Sequence, residues 1–302
     1  VGCYHPLTAY KSIKPKPNGK HSIRFSAGGD TLPIQLPCGQ CIGCRLERSR
    51  QWAVRCIHEA SLYEQNCFIT LTYNDKHLPT DGSINVVHFQ KFMKRLRFAF
   101  PQQKIRFFHC GEYGEKLGRP HYHACLFNFD FDDKILLKKV NDIPLFTSPT
   151  LEKIWGKGFV SIGSVTFESA AYVARYIMKK INGDESDKHY EYINPLDGNT
   201  YQRDPEYITM SRRPGIAHEW FNQFKNDVYP DDFVVINNKK VRPPRYYDEQ
   251  LKKQNPETLE MIKFERVINA MENEHENTTE RLNVKERILK TKLKQLPRNL
   301  EQ

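Results

Sequence analysis

The sequence predicts a layered α+β domain, preceded by a loop-rich N-terminal segment and followed by a charged, largely helical extension. Three observations carry this. Helical and strand-like periodicities alternate between residues 45 and 181, aromatic side chains make up 12% of the chain, and large apolar groups thin out beyond residue 255. Helices and strands that each bury one side must pack in layers around a shared core. A chain of 302 residues is long enough to bury a sizeable one, and such an aromatic load is foreign to wholly disordered chains.

The elements follow in order. The first 44 residues are punctuated by Lys14-Pro15-Lys16-Pro17-Asn18-Gly19, Gly28-Gly29-Asp30 and Pro37, with one short alternating run over His21–Phe25. From Arg45 to Glu64, the residues Leu46, Trp52, Ala53, Cys56, Ala60 and Tyr63 recur near every 3.6 positions, with Arg45, Arg48 and Arg50 opposite, which predicts an amphipathic helix. Cys67–Tyr73 is β-branched and aromatic and is closed by Asn74-Asp75, a strand. After a turn at Asp81-Gly82-Ser83 comes a helix over Val86–Phe100, with Phe89, Phe92, Met93 and Leu96 on its apolar side. Two strand-like runs, Lys104–Cys110 and His121–Phe127, are joined by a connection containing Glu112. A short helix over Leu151–Trp155, a strand over Phe159–Val165 and a helix over Ser169–Ile181 complete the core, with Thr166 or Ser169 as N-cap and Asn182-Gly183 as the stop. Residues 183–250 show little periodicity, and the chain beyond Asn255 is rich in Glu, Lys, Asn and Leu in a helical pattern. This sets expected boundaries at 1–44, 45–220 and 221–302.

The balance of 46 Lys+Arg against 36 Asp+Glu, a net +10, favours polyanionic partners, nucleic acid above all. No apolar run approaches the ~20 residues a membrane span needs, and no charged-then-apolar leader is visible, so neither a membrane protein nor an unprocessed secreted one is expected. Eight cysteines in such a chain read as thiols or metal ligands of a reducing cytoplasm. Cys56, Cys67, Cys110 and Cys125 fall in periodic apolar segments and read as small core residues.

Three constellations carry chemistry. In Pro120-His121-Tyr122-His123-Ala124 the strand period puts His121 and His123 on one face and Tyr122 on the other. Two imidazoles so placed can chelate one divalent cation, although His-x-His also arises by chance. A hard cation wants a carboxylate as well; Glu112 is the best candidate and Glu115, nearer the turn tip, the competitor. In Ala170-Ala171-Tyr172-Val173-Ala174-Arg175-Tyr176-Ile177-Met178-Lys179-Lys180 the two tyrosines stand one helical turn apart, with Lys179 or Lys180 continuing the stripe. They are either packing residues or phenols facing a cleft, where a neighbouring ammonium or cation would stabilise the phenolate. The third is Cys38-x-x-Cys41-x-x-Cys44, with Cys3 or His5 available to complete a tetrahedron around zinc. Free thiols on a loop are the plain alternative.

The set Phe68-Ile69-Thr70-Leu71-Thr72-Tyr73, His121-Tyr122-His123 with an upstream glutamate, and Tyr172-x-x-x-Tyr176 with a trailing lysine resembles the ordered motifs of HUH endonucleases, the nickases of rolling-circle replication. The Pro37-Cys38-Gly39-Gln40-Cys41-Ile42-Gly43-Cys44-Arg45 stretch further resembles replication initiators of the microviruses, especially the gokushovirus branch. The resemblance covers about residues 1–220. It implies a central antiparallel sheet of ferredoxin-like or RRM-like type carrying the His pair, with the tyrosine helix beside it. It also implies Mg²⁺ or Mn²⁺ on His121, His123 and Glu112, and attack by Tyr172 or Tyr176 on a phosphodiester to leave a 5′-phosphotyrosine, with Lys179 or Lys180 neutralising charge. The implied partners are single-stranded and replicative-form DNA at a phage origin, with host helicase and polymerase, in the bacterial cytoplasm. Arg45, Arg48, Arg212 and Arg213 are the candidate DNA contacts. Two rival readings follow from the same residues: a histidine-dependent nucleotide phosphodiesterase, and a zinc-organised nucleic-acid-binding module without catalysis.

Overall fold

A computed structural model describes residues 2–17, 19–114, 118–140, 142–175 and 186–295. They fall into two compact units, one built from the residues up to Arg48 and those from Glu260 on, the other from Ser49–Leu259. No described helix is long and apolar enough to cross a membrane.

In the first unit, β1 (Leu7–Ser12), β2 (Ile23–Arg24) and β3 (Thr31–Leu36) form an antiparallel sheet in the order β2-β1-β3. The short strand expected at His21–Phe25 is there as β2, but its two longer partners lack clean alternation and escape a sequence reading. Helix α1 (Ile42–Ala60) begins three residues before the expected start, inside the cysteine run. Gly43 is required there: a Cβ would come within 2.1 Å of the Gly2 carbonyl oxygen and 2.9 Å of the Tyr4 ring.

The second unit is organised by a seven-stranded antiparallel sheet. Its strands in chain order are β4 (Asn66–Tyr73), β5 (Arg106–Tyr113), β6 (Pro120–Phe127), β7 (Ile135–Val140), β8 (Ile143–Thr147), β9 (Gly158–Gly163) and, beyond two short strands β10 (Glu191–Ile193) and β11 (Thr200–Gln202), β12 (Tyr207–Met210). Across the sheet they run β12-β5-β6-β4-β9-β8-β7. Interleaved are α2 (Val86–Ala99), α3 (Pro149–Trp155), α4 (Phe167–Arg175) and the single turn α5 (Ser186–His189). A second antiparallel pair, β13 (Val234–Ile236) and β14 (Lys239–Val241), lies between α6 (His218–Val228) and α7 (Arg245–Gln254), and the chain closes with α8 (Pro256–Glu272) and α9 (Thr279–Gln295). The α+β class and the antiparallel sheet match the expectation.

Strand alternation sorts the sheet into two faces. Ile69, Leu71 and Tyr73 of β4 and Tyr122, Ala124 and Leu126 of β6 are buried against Phe89, Phe92, Met93 and Leu96 of α2 and against Leu151, Ile154 and Trp155 of α3. Tyr122 Oη accepts from Asn85 N (2.7 Å), donates to Asn85 O (3.0 Å) and lies 2.6 Å from Tyr73 Oη, so both core phenols are satisfied. The opposite face carries the alternate residues. There Trp52 of α1 stacks on Phe108 at 4.8 Å, and buried Glu59 pairs with buried Arg106. Cys56, Cys67, Cys110 and Cys125 are all buried, as expected of small core residues.

Two features shape the strand pairing. Gly158 opens β9 at φ +147°, where a Cβ would meet Asn74 N at 2.3 Å and Thr72 O at 2.4 Å, so only glycine lets β9 approach β4 this closely. At one edge of the sheet, β12 comes from the region of weak periodicity and pairs with β5 from Tyr207↔Gly111 to Met210↔Phe108. The hairpin of β7 and β8 also went unread, because Ile135, Leu136 and Ile143 are exposed and no alternation marks them.

Under α6 and α7 the imidazole of His58 stacks on Trp220 at 3.5 Å and its Nδ1 lies 2.7 Å from Tyr247 Oη. Burial lowers its pKa from 6.5 to about 3. The folded protein therefore holds this ring neutral while the unfolded chain charges it below pH 6.5, so stability is lost as pH falls from 6.5 towards 3. Between pH 7 and pH 5 the loss is on the order of 2 kcal/mol, at ~1.4 kcal/mol per unit. Denaturant titrations should show this drop in the wild type, and a clearly smaller one in His58→Phe, which keeps a stacked ring; equal drops would refute the assignment.

Candidate active site and cysteine cluster

Glu112, His121 and His123 come together on the sheet face opposite the α2 core. Strand β5 runs on past Cys110, where a connection had been expected, and places Glu112 directly opposite His121, with Cys110 opposite His123. Glu112 is therefore a strand residue, held by the ladder rather than by a loop. Glu112 is 2% exposed and His123 5%, and His123 Nε2 lies 2.6 Å from Glu112 Oε1. Glu115 lies outside the described residues.

The hydrogen bonds define what each ring can offer. His121 Nδ1 donates to Arg119 O at 2.7 Å, since a carbonyl can only accept, and this leaves Nε2 with its lone pair. Burial, reinforced by the nearby His123 and opposed by Glu112, lowers the His121 pKa; the ring is neutral and ligand-competent at neutral pH. His123 Nδ1 lies 2.9 Å from Thr70 Oγ1 on β4, directly across the register. A hydroxyl can donate or accept, so Thr70 supports His123 both with its proton on Nε2, directed at Glu112, and with that proton moved to Nδ1. Thr70 sits in the first quoted motif, but nothing in its spacing marks it as a histidine support. Phe68, on the same strand face, stacks on His123 at 5.8 Å.

Helix α4 delivers the phenol. Its start is capped reciprocally: Ser169 N donates to Thr166 Oγ1 (3.1 Å) and Thr166 N to Ser169 Oγ (2.8 Å), so both expected cap residues take part. Ala170, Val173 and Ala174 are buried. Tyr172, 6% exposed, meets His123 edge-on at 5.1 Å, and its Oη donates to Glu112 Oε1 at 3.2 Å. Tyr172 is thus packed in the core while its hydroxyl reaches the Glu112 carboxylate. Tyr176, Lys179 and Lys180 lie outside the described residues.

Two imidazoles and one carboxylate form a donor set that could hold a divalent cation. His123 and Glu112 already touch. The His121 ring is 6.2 Å from that of His123, centre to centre, with Nε2 as its available donor.

The first unit contains a second cluster. The Sγ atoms of Cys3, Cys38, Cys41 and Cys44 all lie within 4.8 Å of one another, with Cys38–Cys44 at 4.0 Å and Cys3–Cys41 at 3.9 Å. Cys3, rather than His5, is the fourth member; His5 Nε2 pairs instead with Glu286 at 3.1 Å. Backbone N–H groups converge on the sulfurs: Cys38 N donates to Cys3 Sγ, Cys41 N to Cys38 Sγ, and Tyr4 N and Cys44 N to Cys41 Sγ, at 3.2–3.5 Å. Burial pushes the Cys41 thiol up, but the donations from Tyr4 and Cys44 outweigh it and bring it down to about 6. Burial raises Cys3 and Cys44.

Of the candidate DNA-contacting arginines, Arg45 is half-buried and Arg48 exposed on α1, and Arg212 and Arg213 are exposed in a turn closed by an Arg212–Gly215 bridge. That turn is gripped from below. Arg106 donates to Pro214 O and Gly215 O at 3.0 Å each, Arg55 to Ile216 O, and Ala217 N donates to Glu59 Oε2.

Comparison with known proteins gives a consistent picture. Residues 66–181 match the family described as replication-associated protein ORF2/G2P, a span that holds Glu112, His121, His123 and Tyr172. The chain is 34% identical over 280 residues to the replication-associated protein ORF2 of Spiroplasma virus 4, covering 84% of this chain and 81% of that protein. It is 32% identical over 264 residues to the replication-associated protein VP4 of Bdellovibrio phage phiMH2K, covering 78% and 79%. It is 30% identical over 244 residues to the replication-associated protein ORF4 of Chlamydia phage 1, covering 78% and 57%. No solved structure matches the chain.

Proposed function

Since the chain belongs to the ORF2/G2P family of phage replication-associated proteins, we propose that it is an HUH endonuclease that nicks and rejoins DNA at the origin of a single-stranded DNA phage. The observation that carries this reading is the hydrogen bond from Tyr172 Oη to Glu112 Oε1, the same oxygen that His123 Nε2 contacts. A nucleophile and two members of a metal-binding set thus share one atom. The nickase chemistry is assigned to residues 45–220.

In this reading His121, His123 and Glu112 would hold Mg²⁺ or Mn²⁺, which would supply Lewis-acid polarisation of the scissile phosphate. Tyr172 Oη forms the new bond to phosphorus, the bond from phosphorus to the 3′ oxygen breaks, and the protein keeps the 5′ end as a phosphotyrosine. The proton released by the phenol, already shared with Glu112 Oε1, balances the one taken up to give a free 3′-OH. Because the ester energy is conserved, attack by a 3′-OH reverses the step and rejoins strands. Tyr176, four positions further on, is the second acceptor, and Lys179 or Lys180 neutralises the developing phosphorane charge. Arg45, Arg48, Arg212 and Arg213 contact the DNA backbone, consistent with the +10 balance. The partners are origin DNA in single-stranded and replicative form, with host helicase and polymerase in the bacterial cytoplasm.

Cys3, Cys38, Cys41 and Cys44 bind a structural zinc. A tetrahedron with Zn–S bonds of ~2.3 Å has edges of about 3.8 Å, against the 3.9 and 4.0 Å seen. The amide donations to sulfur stabilise the thiolates such a site needs.

The test is a denaturant-stable protein–DNA adduct with a labelled origin oligonucleotide. It should form with Mg²⁺ or Mn²⁺, vanish on chelation, return with added Mn²⁺, and be absent from the Tyr172→Phe/Tyr176→Phe double variant. Turnover without any adduct would support a phosphodiesterase instead, and binding without turnover a purely organisational module.

A further inference from the structure

Strand β4 has β6 on one side and β9 on the other, and Thr72 pairs with both: it faces His121 across one ladder and Phe159 across the other. Residues directly opposite in antiparallel strands point to the same face. His121, Thr72 and Phe159 therefore form one cross-strand row on the site face, and the next row is His123, Thr70 and Ser161. Two inter-strand spacings separate His121 from Phe159, about 10 Å between backbones. Phe159 is 69% exposed, while its neighbours Val160 and Ile162, pointing the other way, are buried in the core. At its level β9 is the edge of the sheet, because β8 pairs with β9 only at Phe146↔Ile162.

The same-face neighbours of the ring along and across the ladder, Ser161 and Thr72, carry hydroxyls. Among the described residues, these two flank it in the partly exposed surface. The strand beneath it is pinned by the close approach at Gly158. The acid at this end of the sheet, Asp75, is already paired with Arg119 at 2.5 Å, and the same guanidinium donates to Tyr73 O at 2.9 Å. An exposed, rigidly mounted ring one short step from the proposed phosphate-binding site suits a flat aromatic ligand.

We propose that Phe159 is a stacking platform for a base of the single-stranded DNA whose phosphate lies at His121, His123 and Glu112. This rests on the nickase reading for the identity of the ligand and adds where the strand runs: across the sheet from β6 over β4 towards β9. Aromatic platforms of this sort tolerate any base, since every base offers a π-face.

The test measures binding alone, by fluorescence anisotropy, in the full chain carrying Tyr172→Phe/Tyr176→Phe and without added divalent cation. The probe is a labelled thymidine homopolymer of about 20 nucleotides, longer than the ~4–16 that one single-strand-binding fold covers. Phe159→Ala should weaken binding roughly tenfold or more, with the salt dependence unchanged because no phosphate contact is lost. Phe159→Trp should bind at least as tightly as the parent, and Phe159→Leu, which keeps apolar bulk without the π-face, should resemble Phe159→Ala. Equal affinity of Phe159→Ala and parent overturns the platform, as does a loss shared equally by Phe159→Trp. If the parent itself fails to bind, the platform and the nickase reading both fall; an unaffected Phe159→Ala beside a wild type that forms the adduct removes the platform alone.

Discussion

Alanine at His121 or His123 is expected to slow nicking by roughly 10³-fold or more while leaving single-stranded DNA binding largely in place. On the nickase proposal a metal-held phosphate is where the reaction would need help, and the several kcal/mol that a Lewis acid supplies are worth tenfold in rate for each ~1.4 kcal/mol. The two variants should differ in a second respect. His121 lends the site a lone pair and anchors itself on Arg119 O, so its removal touches little else. His123 lies between Thr70 and Glu112, and its loss deprives a carboxylate of 2% exposure of a strong partner. His123→Ala should therefore also lower the thermal midpoint, whereas His121→Ala should barely move it. Quantitative adduct formation, Mn²⁺ titration by electron paramagnetic resonance, and thermal denaturation separate the contributions. Nicking within tenfold of wild type in both variants would remove the metal site from the account.

The second large effect is at the cysteines. Purified protein should carry one zinc per chain, and Cys38→Ser/Cys41→Ser should carry none. Structural zinc contributes ~10–16 kcal/mol in small zinc-finger peptides. Here the three-stranded sheet and α9 give the unit additional packing, so a loss on the order of several kcal/mol, confined to that unit, is expected. Limited proteolysis should then cut the double variant within the first 48 residues, with the seven-stranded sheet remaining protected. A double variant with wild-type resistance and no bound metal would show the sulfurs to be merely packed.

Legibility in the sequence followed the physics of each signal. The His121–His123 alternation, the β4 run and the α2 stripe are strong because a buried face demands strict spacing. The cysteine run was readable because its thiols are close in sequence, and Cys3 was already a candidate for the fourth position. Glu112 is legible as the carboxylate, but the end of its strand is not: Gly111 and the charge itself look like a turn. Thr70 was hidden because a threonine in a β-branched strand looks like propensity alone, and only the pairing of β4 with β6 reveals its contact with His123. Strand β12 was invisible for the opposite reason: its four residues are all half-buried at a sheet edge, so no two-residue rhythm emerges.

The pairing of β5 with β12 has a consequence for contacts between chains. The strand that bears Glu112 has β6 on one flank, but its other flank is closed by residues synthesised long after it. Without residues 207–210 that flank of β5, from Phe108 to Gly111 beside Glu112, would be an open sheet edge, the kind of edge that templates strand addition between neighbouring chains.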